Sequence, residues 1–159
     1  MNLPPARGSR QRGITMVESL VALVVLSVGM LGIAGLYVSS LKAGRSALIR
    51  TQAVNLASDL ADRIRANRKG LGAYATAGYG TKGPALKGCL GGDCSPAALA
   101  QDDLARWNTQ LADTMPSNAA GTVAFKDPVF PAPAVYTITV SWRESGDAAD
   151  NSCQLVVEL

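Results

Sequence analysis

Polarity along the chain changes character twice. Between residues 14 and 41 the only group expected to carry charge is Glu18, and from 19 to 37 nothing is more polar than Ser27. A run of this length suffices to cross a bilayer core, which needs about 20 apolar residues. After Lys42 the uniform apolarity gives way to a repeat. Ile49, Ala53, Leu56, Leu60 and Ile64 recur at helical spacing and define one face, while Arg50, Asp59 and Arg63 fall on others. Asp59 and Arg63 are spaced for an i,i+4 ion pair. A helix continuous over 14–68 would be roughly 80 Å long at 1.5 Å per residue. Gly70 is a natural stop, and the cations Arg63, Arg65, Arg68 and Lys69 suit a helix C-terminus.

The second change follows. Residues 70–92 are rich in Gly, Ala, Thr and Tyr and read as a long loop without periodicity. Ser95-Pro96 then offers an N-cap and a first-position proline for a helix over about 95–115. Leu104, Trp107, Leu111 and Met115 form its apolar face, and Pro116 stops it. In 135–144, Tyr136, Ile138, Val140 and Trp142 alternate with Thr137, Thr139, Ser141 and Arg143, the mark of a half-buried strand. Residues 145–152 read as a turn, and Cys153, Leu155, Val157 and Leu159 as a second alternating strand; 122–126 gives a weaker first one. The pattern predicts an α+β fold. A long N-terminal helix, apolar in its first half and amphipathic in its second, packs against a small antiparallel sheet of about three strands, with a shorter second helix.

Composition sharpens this. The chain has 159 residues, 48% hydrophobic and 17% charged, which is room for one domain and too apolar for disorder. Its net charge is +3, from 15 basic and 12 acidic residues. Arg7, Arg10 and Arg12 lie in the first thirteen positions, where there is no acid; the twelve basic residues that remain balance the twelve acids. The excess therefore belongs to the N-terminus, where Lys and Arg beside an apolar span hold that side in the cytoplasm. Nucleic acid is not an expected partner, and the cationic cluster at 63–69 is read as a helix end. Absence of His removes the commonest general base and transition-metal ligand. With no paired-carboxylate signal and no phosphate loop either, no catalytic residue, metal or cofactor is assigned. All three cysteines follow the apolar span and so fall in an oxidising compartment. They permit three single pairings. Cys89–Cys94, the preferred one, would staple the loop before the second helix, while Cys153 is a buried thiol or an alternative partner for Cys94.

The order of parts at the N-terminus is the informative feature. A secretory signal puts its small-residue cleavage site after the apolar run. Here the small residue, Gly13, precedes that run, and no such site closes its far end. Gly13-Ile14-Thr15-Met16-Val17-Glu18 followed by an apolar helix resembles the class III signal of type IV prepilins and type II secretion pseudopilins. The resemblance implies that a prepilin peptidase cuts after Gly13 and methylates the new N-terminus at Ile14. Most relatives begin with Phe or Met, so Ile14 departs mildly from the pattern. It implies a leader over 1–13, a transmembrane and filament-core helix over 14–41, an amphipathic continuation over 42–69 and a periplasmic globular head over 70–159.

Glu18 has two readings. From position alone it is a first-turn acid favoured by the helix dipole. The resemblance makes it an assembly residue that pairs with the amine of Ile14 in its own or a neighbouring subunit, since an unpaired acid inside a membrane is costly. Gly29, Gly32 and Gly35 each cost about 0.8–1.0 kcal/mol against Ala in a helix. They fit close helix packing or a locally weakened helix, or reflect only the glycine content common in membrane helices. Together with Asp93-Cys94-Ser95-Pro96, Asp103-Leu104-Ala105-Arg106-Trp107 and the 136–142 strand, the resemblance narrows to PilV-type minor pilins, or type IV pilus modification proteins. It implies a non-enzymatic subunit that primes or modifies pilus assembly. Its expected partners are other minor and major pilins, the peptidase and the inner-membrane assembly machinery. The expected location is the inner membrane, with the N-terminus cytoplasmic, and then the pilus or its tip. A type II secretion pseudopilin is the nearest alternative. A tip adhesin using the Gly- and Tyr-rich loop is another.

Overall fold

The computed structural model describes residues 13, 15–79, 88–89, 93–128 and 132–159. The chain divides into two compact units, residues 1–43 and 44–159, and each is described by itself. Helix α1, Met16–Ala66, supplies residues to both.

In the first unit every described side chain of α1 is exposed. The helix is long and apolar enough, by length and composition, to cross a membrane, and its most apolar window has no buried residue. A helix apolar on all sides needs a non-aqueous surrounding. Ser27, the polar group in this run, turns its hydroxyl back to donate to the Val24 carbonyl at 2.8 Å.

The second unit holds the core. Ile49, Ala53, Leu56, Leu60 and Ile64, the expected face of α1, are all buried, joined by Ala57 and Ala61. After α1 a 3₁₀ segment, Arg68–Tyr74, leads into strand β1, Thr76–Tyr79. The α-helix thus ends at Ala66, short of the expected 68–69, and from Gly70 on the 3₁₀ segment and β1 lie where a plain loop is expected from the sequence. Helix α2, Pro96–Thr114, starts as expected, with the Ser95 hydroxyl accepting from the Ala98 N–H at 3.2 Å and proline in the first turn. Leu104, Trp107 and Leu111 are buried along it, and Met115 just beyond.

Strands β2 (Ala120–Lys126), β3 (Val135–Trp142) and β4 (Asn151–Glu158) are the three expected ones, and β1 adds a fourth at the edge of an antiparallel meander ordered β1-β2-β3-β4. Tyr136, Ile138, Val140 and Trp142 point inward from β3, as the alternation requires. Strand β4 begins at Asn151, inside the stretch read as a turn, because the pairing with β3 runs on to Trp142↔Asn151. The turn itself is closed by the Asp147 N–H on the Glu144 carbonyl, with Gly146 at φ +102°, a conformation open to glycine.

Candidate functional site

The features that point to function lie at the start of α1, along its apolar stretch and around the start of α2. At the helix start, Gly13 is exposed, with open space where a Cβ would stand. Ile14, the expected new N-terminus, lies outside the described residues. Thr15 is the N-cap: its Oγ1 accepts the Glu18 N–H at 3.3 Å, and its carbonyl accepts the Ser19 N–H at 3.2 Å. Thr15-x-x-Glu18 is thus a capping-box sequence, with Glu18 at the third helical position and its charge in the first turn. The capping role of Thr15 was missed from sequence, although the spacing alone carries the signal.

Gly29, Gly32 and Gly35 sit in unbroken α-helix, and a Cβ at any of them would meet nothing within 4 Å. A break in the helix is therefore not what the glycines produce, and no contact among the described residues accounts for them.

In the second unit the expected staple is present: Cys89 and Cys94 form a disulfide. Cys153 is a free, half-buried thiol. The disulfide-bearing segment is also held from α2, where Asp102 accepts the Gly88 N–H at 3.0 Å and pairs with Arg106 at 2.9 Å. One residue on, Asp103 enters a partly buried polar network. It accepts the Tyr74 hydroxyl at 2.7 Å and Arg63 at 3.3 Å; Arg63 also pairs with Asp59 at 2.9 Å. Asn67 donates to both the Tyr74 oxygen and the Pro96 carbonyl, at 3.2 and 2.8 Å. Burial, then the Asp103 carboxylate, pushes the Tyr74 hydroxyl well above the usual phenol range. Burial alone would lower the Arg63 guanidinium, but hydrogen bonds and charge from Asp59 and Asp103 outweigh it and hold it charged.

The Asp103–Trp107 stretch singled out in the sequence is therefore the seam between α2 and α1. Of the cationic cluster at 63–69, Arg63 is tied to Asp59 and Asp103, and Arg65 to Asp62 at 2.8 Å. Two of the four cations are thus ion-paired at the end of α1, while Arg68 and Lys69 are exposed just beyond it.

Comparison with known proteins follows the same division. The prokaryotic N-terminal methylation motif matches residues 8–34. The family model described as type IV pilin Tt1218 matches residues 35–105, which include the amphipathic half of α1, the disulfide and the first half of α2. No curated protein and no solved structure matches the chain. By its methylation motif, by the pilin model that continues from it and by its α+β fold, the chain is similar to type IV pilins over residues 8–105.

Proposed function

We propose that this pilin subunit is a minor pilin, which primes or modifies assembly of a type IV pilus. The observation that carries the reading is the sequence of parts at its N-terminus. An exposed Gly13 is followed by a Thr15-capped helix whose described residues up to 43 are apolar on every side and all exposed. Such a helix is made to be kept after processing and covered by lipid and then by other subunits.

In this reading a prepilin peptidase cleaves after Gly13 and methylates Ile14. Glu18, already placed at the helix start, takes the N-terminal amine of Ile14 in its own or a neighbouring subunit as its partner. Gly29, Gly32 and Gly35 leave room for close approach by neighbouring helices, including those of major pilins. Before assembly the leader side faces the cytoplasm and residues 70–159 the periplasm, where the Cys89–Cys94 disulfide is stable. The neutral balance of charge outside the leader and the ion-paired Arg63 and Arg65 support a structural subunit over a nucleic-acid binder.

Mass analysis of the protein from membranes tests the processing: the expected product begins at a methylated Ile14. An intact Met1, or cleavage beyond Leu41, would overturn it. Co-purification with sheared extracellular pili is expected for a pilus subunit. Retention in the envelope would instead make it a secretion pseudopilin.

A further inference from the structure

Of the sheet's two edges, one is guarded and one is not. β1 is four residues long and its register against β2 slips between Thr76 and Tyr79, both common ways of blunting an edge. β4 is eight residues long and pairs with β3 at every position from Asn151 to Glu158 without a bulge. It contains no proline and no lysine, and Val156 on it is 55% exposed. Among the described residues it has a strand on one side only. Beside it runs a groove of about 250 Å³, walled by Arg50 and Val54 of α1 and by Asn151, Ser152 and Cys153 of β4, with Trp142 between them. Val54 is 49% exposed there. Arg63, Arg65, Arg106 and Arg143 each hold a carboxylate, whereas Arg50 makes no ion pair among the described residues.

We propose that this groove receives an added strand: an extended segment of a different filament subunit, carrying a carboxylate that pairs with Arg50. The open edge of β4 supplies main-chain hydrogen bonds and a fixed register. Apolar side chains of the incoming segment cover Val54. The unpaired guanidinium selects an acidic segment, so that edge pairing is restricted to one class of sequence. This inference rests on the filament-subunit reading and adds a partner surface to it.

The test uses the full chain in cells that assemble the filament, with a photo-crosslinking phenylalanine derivative at Val54 and, separately, at Leu31 in the apolar part of α1. The expected product from Val54 is an adduct with another pilin, mapped by mass spectrometry to an extended segment beside an Asp or Glu. Arg50→Glu should lower its yield about tenfold, and Arg50→Lys should hold it within about twofold. No adduct from Val54, an adduct with a second copy of this chain or with a protein outside the filament, or a yield indifferent to Arg50→Glu would overturn the proposal while Leu31 still captures pilins. Silence at Leu31 would bring down the filament reading, and this proposal with it.

Discussion

The indole N–H of Trp107 donates a 2.8 Å hydrogen bond to the main-chain carbonyl of Leu56, joining two helices across 51 positions of sequence. The carbonyl lies in mid-helix, so Trp107 uses the acceptor capacity that the helix leaves over. The other side of the indole ring lies against Gly121 of β2, where an added Cβ would collide with it. One side chain thus fixes the distance from α1 to α2 and from α2 to the sheet.

Substitution at either partner should therefore be costly, and the two should couple. Trp107→Phe is expected to lose about 2 kcal/mol, from the hydrogen bond and the lost ring volume. Gly121→Ala is expected to lose about 2 kcal/mol by overpacking. The double variant should be more stable than the sum of the two, because the smaller ring makes room for the methyl group. Chemical denaturation of the four proteins checks this, and strict additivity would contradict the packing described.

Two buried tyrosines should respond differently to loss of the hydroxyl. Tyr74→Phe strips Asp103 of a donor and should cost about 1–3 kcal/mol. The Tyr136 hydroxyl is buried with no hydrogen-bond partner among the described residues, so Tyr136→Phe should be neutral or stabilise by about 1 kcal/mol. Thermal unfolding of both variants decides it.

Alkaline pH should act through the same hydroxyl. The folded-state pKa of Tyr74 is raised by burial and by Asp103, so the unfolded chain releases this proton first. Its contribution is fully present below the unfolded value, near pH 10, and is lost as pH rises beyond it. Above that point stability should fall less steeply in Tyr74→Phe than in the parent, by up to about 1.4 kcal/mol per pH unit. Equal slopes would show that the hydroxyl does not titrate on unfolding.

At the start of α1, Thr15→Ala removes the side-chain acceptor of the Glu18 N–H. Amide exchange at residues 17–19 should quicken in detergent micelles, with the rest of α1 unchanged. Glu18→Ala is expected to leave processing after Gly13 largely intact and to impair assembly. Normal piliation in a strain dependent on this copy would remove Glu18 from the assembly role.

The periodic parts of the fold could be read in advance because burial imposes the period. Ile49 to Ile64 and Tyr136 to Trp142 show their inward faces directly in the chain. β1 could not be read so: Thr-Ala-Gly-Tyr has no alternation and weak strand preference, and it is held by pairing with Val123 and Gly121 far along the chain. The network of Tyr74, Asp103, Arg63 and Asn67 was hidden for the same reason, since its members meet only after α2 folds onto α1. Thr15 differs, because the capping box is local and its spacing was present from the outset. The glycines were only half readable. Their cost could be read, but not the unbroken helix in which they sit.

Asp102 gives the segment around Cys89 a second tether that owes nothing to sulfur chemistry. Should the disulfide be reduced, the Gly88 N–H still has its carboxylate, and that carboxylate is steadied by Arg106 on the same helix. Residues 88–89 are thus pinned to α2 twice, through the sulfur of Cys94 just before the helix and through the carboxylate of Asp102 within it.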